Sequence, residues 1–332
     1  MTDWRPTASL DVLRARAHAL RVVRAFFQER GSLEVQTPAI VPSPGVDAWL
    51  DAPAVELNGH PRFLATSPEY AMKRLLAAGS GSIHQIGPAF RAGERGDWHE
   101  PAFTMVEWYE LDADDTACMD TTEALVRAVA RALSDGLLHA LTCAVSTAEP
   151  FDRMTYREAF ASVTGMDPVD ADVRRLGRLL RVAGVRTPRD ASAAEIEDLV
   201  LGAVVQRQLG VERPVFVTDW PTDRAALARV RPGRDADGAP SAARFELYAG
   251  GVELCNGYHE LSDPDEQAAR IDAENALRVA SGKPPYPVDA AFLAALRHGL
   301  PDCAGNALGF DRLLMLTQGV SDIGAVVSFR VE

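Results

Sequence analysis

Residues 305–312, Gly-Asn-Ala-Leu-Gly-Phe-Asp-Arg, combine a strand of small residues with the first turn of a helix. Side chains alternate between the two faces of a strand, so Gly305, Ala307 and Gly309 share one face and leave it nearly bare. Such a strand often marks a place where a ligand comes close to the backbone. Arg312 falls at the helix N-terminus, where the helix dipole disfavours a cation. The pattern predicts an anionic ligand; the alternative is a tight packing contact between strand and helix.

A predicted hairpin lies upstream, because Gly250-Gly251 is a strong signal for a two-residue turn. With that turn, Tyr248 faces Glu253, and Glu246 lies diagonally from Glu253 on the same face. Diagonal neighbours are about 7–8 Å apart at the backbone, so both carboxylates can reach one hard cation. The pair therefore predicts a Mg²⁺ site formed by Glu246 and Glu253. The alternative is an exposed acidic hairpin.

Another predicted strand carries an unusual mixture of side chains on one face, namely Phe103, Met105, Glu107 and Tyr109. An acid and a polar-tipped aromatic ring are an odd composition for a core face. Arg91, in the segment before this strand, can clamp a phosphate with two hydrogen bonds. Phe103 offers a flat surface to a base. The segment predicts a nucleotide site; the alternative is a hairpin with an exposed acidic stripe.

The composition of the 332-residue chain is that of a globular protein, with 47% hydrophobic and 24% charged residues. That composition excludes disorder, collagen and coiled coil. The net charge of −13 has the wrong sign for a protein whose main task is to hold nucleic acid, so tRNA is not an expected partner. The start lacks signal-peptide features, and no stretch reaches the roughly 18 apolar residues of a membrane span. We expect a soluble cytoplasmic protein with no membrane partner.

Common nucleotide and hydrolase motifs are missing from the sequence. It contains no G-x-x-x-x-G-K-[ST] phosphate loop, no G-x-G-x-x-G opening a helix, no H-E-x-x-H and no G-x-S-x-G elbow. The cysteines Cys118, Cys143, Cys255 and Cys303 include no C-x-x-C pair, so we expect reduced, buried thiols rather than a zinc site. If the protein handles nucleotides, it does so by another device.

The order of the predicted elements indicates an α+β fold. Strands concentrate at 33–111 and 214–309, and a largely helical insertion at about 150–212 separates them. That pattern favours a mainly antiparallel sheet flanked by helices, in one domain spanning 1–332. The predicted helices cover 9–30, 67–78, 119–137, 153–163, 171–184, 193–209, 265–280, 288–297 and 310–318. The predicted strands cover 33–37, 83–90, 102–111, 214–218, 244–248, 252–255 and 305–309.

Three segments together resemble the class II aminoacyl-tRNA synthetases. Residues 305–312 resemble motif 3 of that family, residues 90–103 resemble motif 2, and the helix and strand over 9–38 resemble motif 1. Residues 66–75 and 253–261 resemble the lysyl-tRNA synthetase branch in particular. The resemblance covers essentially the whole chain, and it implies the class II synthetase catalytic core, with a mainly antiparallel sheet flanked by helices.

The chain also resembles a branch of this family that modifies a protein. A lysyl-tRNA synthetase carries an anticodon-binding OB domain before motif 1, whereas motif 1 begins here near residue 9, so we expect no such domain. A lysine-activating core without it is similar to the elongation factor P–(R)-β-lysine ligases, which adenylate (R)-β-lysine and transfer it to a lysine side chain of elongation factor P. Residues 105–109, 301–303 and Ala307 fit that branch. The alternative is a minimal synthetase that charges tRNA or another small carrier with lysine.

The resemblance implies roles for individual residues, with ATP as co-substrate and Mg²⁺ as cofactor. Arg91 would bind the α-phosphate and stabilise charge during the attack by the carboxylate, and Arg312 would bind the γ-phosphate. Glu246 and Glu253 would hold Mg²⁺, and Phe103 would stack on adenine. The whole ATP site would comprise Arg91, Gly93, Glu94, His99, Glu100, Phe103, Glu253, Leu254, Gly309 and Arg312. The amino acid would be bound by Ser67, Pro68, Glu69, Glu107, Tyr109, Asn256, Glu260 and Ala307.

Motif 1 lies at the subunit interface in these folds, so the resemblance also implies a homodimer.

The sequence departs from the family pattern near motif 2. Ala102 stands where the family usually has glutamate, Glu100 where asparagine is common, and Gly93 where many relatives have glutamate. These departures concern the contacts to the nucleotide and leave the expected class of reaction unchanged.

Overall fold

A mixed sheet forms the centre of the fold. The structure, a computed structural model, describes residues 4–134, 150–188, 191–233 and 238–331. The α-helices of the described residues are α1 (Leu10–Glu29), α2 (Glu69–Ala77), α3 (Asp115–Ser134), α4 (Tyr156–Thr164), α5 (Val173–Val182), α6 (Ala193–Val200), α7 (Pro264–Ala280), α8 (Ala290–Gly299) and α9 (Phe310–Thr317). The strands are β1 (Leu33–Glu34), β2 (Ile40–Val41), β3 (Ala54–Leu57), β4 (His60–Leu64), β5 (Ile83–Phe90), β6 (Ala102–Leu111), β7 (Asp152–Thr155), β8 (Val215–Thr218), β9 (Val230–Arg231), β10 (Ser241–Ala242), β11 (Arg244–Ala249), β12 (Val252–His259) and β13 (Cys303–Gly309).

The large sheet has eight strands in the order β1-β5-β6-β13-β12-β11-β8-β7. Neighbouring strands are antiparallel except at the two edges, where β1 runs parallel to β5 and β7 parallel to β8. Strands β2, β4 and β3 form a small second sheet, and β9 pairs with β10. The predicted α+β fold, with a mainly antiparallel sheet flanked by helices, is confirmed.

The first helix packs the N-terminal part of the chain against this sheet. The Ser9 hydroxyl caps α1 by accepting a hydrogen bond from the backbone N–H of Val12 at 3.3 Å. The buried face of α1 includes Val23 and Phe27, which lie one turn apart. The ring of Phe27 stacks on the imidazole of His84 in β5, with centroids 4.6 Å apart. The helix predicted at the start of the chain is thus confirmed, and its apolar face meets the sheet.

The region of the predicted insertion has a core of its own. Tyr156 and Phe160 of α4 and Leu176 of α5 are buried in it. Thr155 and Glu158 form a capping box that starts α4. The sequence did not predict β7, whose four residues are too few and too polar to show the alternation of a strand. Strand β7 attaches this region to the large sheet by pairing with β8. The single domain over 1–332, with a helical insertion at about 150–212, stays a prediction.

Several element boundaries differ from the predicted ones. Helix α3 starts at Asp115 rather than at 119, and residues 135–137 of the predicted helix lie outside the described residues. Strand β12 continues to His259 rather than ending at 255. The interior Gly257 hides this continuation, because glycine is a weak strand former. A Cβ at Gly257 would lie 2.2 Å from Cζ of Phe245, so only glycine leaves room for that ring.

Candidate active site

The register of four central strands brings polar side chains into one row across the sheet. Glu107 in β6 lies opposite Ala307 in β13, and Ala307 lies opposite Asn256 in β12. Asn256 in turn lies opposite Glu246 in β11. Directly opposed residues point to the same face of a sheet. Two acids and an amide from distant parts of the chain are thereby placed on one surface.

The small residues of β13 serve two different purposes. Gly305 lies opposite Tyr109, and a Cβ at Gly305 would lie 2.4 Å from Cε1 of Tyr109 and 2.5 Å from Oε1 of Glu260. The bare face at this position therefore makes room for two candidate substrate-binding side chains, not for direct approach of a ligand. Ala307 and Gly309 do line the cavity above the sheet.

A β-bulge brings Asn256 onto the face that carries the predicted metal ligand Glu253. The predicted facing pair Tyr248 and Glu253 is confirmed, but the register shifts between Leu247 and Tyr248 so that Leu254 has no opposite residue. An extra residue in one strand reverses the alternation of its faces. Glu253 and Asn256 therefore point to the same side of β12 although they are an odd number of residues apart.

A cavity of about 720 Å³ lies above this surface, a usual volume for a small-molecule site. Most of the predicted site residues line it, namely Ser67, Pro68, Glu69, Arg91, Glu94, His99, Glu100, Phe103, Glu246, Glu253, Leu254, Asn256, Ala307, Gly309 and Arg312. Glu107, Tyr109 and Glu260 are buried behind the lining. Gly93 also lies outside the lining. Its φ of +79° is in the left-handed region, which glycine adopts readily in turns.

One end of the cavity is acidic. Glu69 at the start of α2 lines this end, and the carboxyl groups of Glu107 and Glu260 lie behind it. The Ser67 hydroxyl donates a hydrogen bond of 2.8 Å to Oε2 of Glu107 and accepts one of 3.0 Å from the backbone N–H of Glu69. The Tyr109 hydroxyl donates to Oε1 of Glu107 at 2.8 Å. These bonds hold acids from a helix and a strand in fixed positions.

The acidic end has an unusual charge balance. The pKa of Glu107 is raised to about 8: burial is the largest cause, the charge of Glu69 adds to the rise, and the hydrogen bond from Ser67 opposes it. Lys73 is fully buried beside this group, with Nζ 2.7 Å from Oε1 of Glu69 and 2.5 Å from Oε2 of Glu260. Glu107 has no cationic ion-pair partner within the part of the chain that the structure describes. An ammonium group bound beside this carboxyl would supply the missing cation and favour its ionised form.

The other end of the cavity presents two arginines. The guanidinium of Arg312 donates hydrogen bonds to the backbone carbonyl oxygens of Glu253 at 2.9 Å and of Trp98 at 3.2 Å. Its Nη2 also lies 2.8 Å from Nε2 of His99. Burial lowers the pKa of His99, and the Arg312 cation lowers it further, so the neutral imidazole can accept this hydrogen bond. Arg312 is therefore held in place at the N-terminus of α9, as the sequence predicted.

Arg91 reaches the cavity beside the predicted adenine platform. Its guanidinium lies 5.1 Å from the centre of the Phe103 ring, and its Nη1 lies 3.7 Å from Oε1 of Glu94. The buried Nε of Arg91 has no hydrogen-bond partner among the described residues. Buried donors in proteins are normally paired, so this donor fits an anionic ligand.

Glu100 has a structural partner that the sequence did not reveal. It lies in the cavity wall, but Oε1 of its carboxylate accepts a hydrogen bond of 2.5 Å from Nε of Arg330. That bond holds the loop before β6 against the C-terminal segment. The roles of Glu100 and Gly93 in ATP binding stay predictions.

The predicted Mg²⁺ ligands have a donor set that fits the ion. Glu246 accepts a hydrogen bond of 2.5 Å from Nη2 of Arg244 and another from the Tyr248 hydroxyl. The pKa of Glu246 is raised to about 7: burial is the largest cause, Arg244 opposes the rise, and the nearby Glu253 adds to it. Within the described ranges no group of three or more His, Cys, Asp or Glu residues could hold a metal ion. Two carboxylates fit Mg²⁺, which usually completes its shell with water and substrate phosphates.

Sequence reasoning missed four residues that support the site: Lys73, Arg244, Tyr258 and Arg330. Lys73 could have been found, because it lies one helical turn after Glu69 on a predicted helix. Arg244 and Tyr258 face each other in the register of β11 and β12, which the bulge obscures. Arg330 gave no signal, since its partner Glu100 is 230 positions away.

The described cysteines are as predicted. Cys118, Cys255 and Cys303 are free and buried, whereas Cys143 lies outside the described residues. Among the described residues, no helix combines the length and the apolar character that crossing a membrane requires.

Comparison with known proteins agrees with this geometry. The family described as tRNA synthetases class II (D, K and N) matches residues 1–331, and the chain belongs to that family.

Its similar relatives include proteins that share one particular name, elongation factor P–(R)-beta-lysine ligase. The chain is 41% identical to the one from Vibrio cholerae serotype O1 over an alignment of 339 positions, which covers 99% of the chain and 98% of the relative. It is 37% identical to the one from Haemophilus ducreyi, over 99% of the chain and 97% of the relative. It is 36% identical to the one from Photobacterium profundum, over 99% and 98%.

Proposed function

We propose that this chain is an ATP-dependent ligase that adenylates (R)-β-lysine and transfers it to a lysine side chain of elongation factor P. The observation that carries the proposal is the two-ended cavity, with Glu69, Glu107 and Glu260 at one end and Arg91 and Arg312 at the other. Acids suit the two amines of the amino acid, and arginines suit phosphates. The shared name of the full-length relatives supports the same reaction.

The first step joins the amino acid to AMP. Glu69, Glu107 and Glu260 would hold the ammonium groups so that the carboxylate of the amino acid faces the α-phosphate. One carboxylate oxygen attacks the α-phosphorus, and the bond from that phosphorus to the bridging oxygen of the β-phosphate breaks, which releases pyrophosphate. Arg91 would stabilise the charge that develops on the α-phosphate, and Arg312 would bind the γ-phosphate. Positioning and electrostatics account for the catalysis, with no covalent bond to the enzyme.

The second step transfers the acyl group. The neutral ε-amine of the acceptor lysine attacks the carbonyl carbon of the adenylate and forms an amide. The bond to the phosphate oxygen breaks, AMP leaves, and the nitrogen loses a proton. This step needs an opening through which a protein side chain reaches the cavity.

The remaining assignments complete the nucleotide site. Phe103 would stack on adenine, because its ring faces the cavity beside Arg91. Glu246 and Glu253 would hold Mg²⁺, which would offset the charge of the phosphates. Glu94 and His99 line the same end of the cavity and would contact the nucleotide.

We also propose that the protein is a homodimer that acts in the cytoplasm. Leu10 at the start of α1 and Leu33 in β1 are exposed, and β1 is an edge strand of the large sheet. Apolar side chains at an unpaired strand edge are suited to an interface. A translation factor as acceptor implies the cytoplasm. Light scattering should give twice the chain mass of 35.8 kDa, and a monomeric mass would contradict the dimer.

The reaction can be tested with purified components. Elongation factor P is incubated with enzyme, ATP and (R)-β-lysine, and its intact mass is measured. We expect a gain of one β-lysyl residue that depends on ATP and is absent with the Arg91→Ala variant. ATP–pyrophosphate exchange with (R)-β-lysine, α-lysine and other amino acids should be fastest with (R)-β-lysine. Unmodified elongation factor P together with lysine-charged tRNA would contradict the proposal and support a minimal synthetase.

A further inference from the structure

Lys73 is one of two lysines in the chain, and its side chain has no exposed surface. Lysine is almost never fully buried unless it is paired. Here Nζ lies 2.7 Å from Oε1 of Glu69 and 2.5 Å from Oε2 of Glu260. These two carboxylates come from the first turn of α2 and from the residue after β12, so Lys73 links a helix to the sheet at the acidic end of the cavity.

The two partners of Lys73 differ in their access to the cavity. The Glu69 side chain is 17% exposed and lines the cavity, whereas the Glu260 side chain is 1% exposed and lies behind it. Gly305 leaves the space that the Glu260 carboxylate occupies. Lys73 therefore contacts the Glu69 carboxylate from the side that faces away from the cavity, and a ligand would approach the same carboxylate from the cavity.

The contribution of such a pair to stability does not explain its presence. Burial disfavours the ammonium form of Lys73, and the charges of Glu260 and Glu69 outweigh burial, so its pKa lies above the usual value. Replacing a buried ion pair by apolar side chains of similar volume is often neutral or stabilising. A buried cation within contact of two candidate substrate ligands therefore points to a role in binding.

We propose that Lys73 is a positioning residue that acts as a fixed internal ammonium: it holds the Glu69 and Glu260 carboxylates in place so that the acidic end of the cavity receives the amines of the substrate. The inference rests on the proposed function only for the identity of the amino acid, since any amine-bearing substrate of this cavity would depend on it. Lys73 itself does not reach the cavity lining, so it touches neither ATP nor the reacting atoms.

A kinetic comparison of lysine variants tests this role through ATP–pyrophosphate exchange. Lys73→Met should raise the KM for the amino acid by about tenfold or more, which corresponds to about 1.4 kcal/mol, and should leave the KM for ATP within about twofold. The matched control is Lys283→Met, because Lys283 pairs with Asp51 outside the cavity lining. That variant should leave both KM values unchanged. An unchanged amino-acid KM in Lys73→Met would overturn the proposal.

Chemical rescue separates a charge role from a packing role. In Lys73→Ala, added ethylammonium should restore exchange in a saturable manner, whereas ethanol and propanol of similar size should not. The same additions to the wild-type enzyme control for inhibition and for side reactions with the adenylate. An amine that rescues no better than the neutral alcohols would contradict the charge role.

Two further arms keep the test decisive. If the Met and Ala variants do not fold, Lys73→Gln removes the charge but keeps a hydrogen-bond donor, and it should raise the amino-acid KM while sparing that for ATP. An unchanged amino-acid KM in that variant would refute the positioning role.

The wild-type exchange is first measured with several amino acids. A preference for α-lysine or another diamine would contradict the proposed substrate, and the Lys73 comparison would then use that amino acid.

Discussion

The carboxylate of Glu100 and the guanidinium of Arg330 form a hydrogen-bonded ion pair of 2.5 Å that joins the loop before β6 to the C-terminal segment. The Glu100 side chain is 1% exposed, and that of Arg330 is 28% exposed. Arg330 also donates to the carbonyl oxygen of Gly96 at 3.0 Å, and the backbone N–H of Ile323 donates to that of Asp97 at 2.7 Å. The loop that supplies His99 to the nucleotide end of the cavity is therefore anchored at several points.

Arg330→Met should destabilise the protein and weaken ATP binding. The buried Glu100 carboxylate would lose its main donor, and leaving such a group unpaired costs about 1–3 kcal/mol. We expect a decrease of that size in the free energy of unfolding in urea, and a raised KM for ATP with little change in the KM for the amino acid.

The double variant Arg330→Met with Glu100→Gln provides the control for this prediction. The neutral amide avoids the unpaired charge, so the double variant should recover part of the lost stability. Additive effects of the two substitutions would show that the pair does not act as a unit.

The pH dependence of amino-acid binding should report the ionisation of Glu107. Its pKa of about 8 in the absence of substrate means that it is mainly protonated at neutral pH. A bound ammonium group favours the carboxylate, so binding should release a proton, and affinity should increase as the pH rises towards about 8 and then level off. Calorimetry in buffers of different ionisation enthalpy measures the released proton.

The same ionisation makes a prediction about stability. A carboxyl group whose pKa is higher in the folded state than in the unfolded state stabilises the fold at low pH, and this contribution is lost as the pH rises through the folded-state pKa. The free energy of unfolding should therefore contain a component that falls between about pH 4.5 and pH 8. The Glu107→Gln variant should lack both this component and the proton release. Persistence of either in that variant would assign the proton to another group.

Removal of either Arg91 or Arg312 should impair adenylation. Arg91→Ala or Arg312→Ala should lower kcat for ATP–pyrophosphate exchange by about 10²–10³, because each would remove charge stabilisation at a phosphate. Arg181→Ala is the matched control, since Arg181 lies exposed on α5 away from the cavity. Near-normal kcat in both cavity variants would exclude the assigned roles.

Substitution of Gly305 should damage the acidic end of the cavity. In Gly305→Ala the new Cβ would lie 2.4 Å from the Tyr109 ring and 2.5 Å from the Glu260 carboxylate, so both must shift. We expect a raised KM for the amino acid and a loss of about 1–3 kcal/mol of stability from overpacking. Gly177→Ala in α5 meets no atom within 4 Å and should instead stabilise the protein by about 0.5–1 kcal/mol. Equal stability of the two variants in urea would contradict the packing interpretation.

The local sequence was informative wherever a motif had its own chemistry. The Gly250-Gly251 turn predicted the facing of Tyr248 and Glu253, and the structure has that pairing. The sequence also predicted a cation in the first turn of the last helix, and Arg312 lies in the first turn of α9. Strand β7 and the continuation of β12 were missed, because a short polar strand and an interior glycine carry no alternation to detect.

By itself, the sequence determined the α+β class, the family and most of the residues that line the cavity, because alternation, turn signals and ordered motifs are local properties. The tertiary structure alone decided how these residues act together. The bulge at Leu254 placed Asn256 on the same face as Glu253, and the packing of α2 against the end of β12 made Lys73 a partner of two acids. It also paired Glu100 with Arg330 across the chain. Register shifts, desolvation and long-range ion pairs depend on distances between segments that no local pattern specifies.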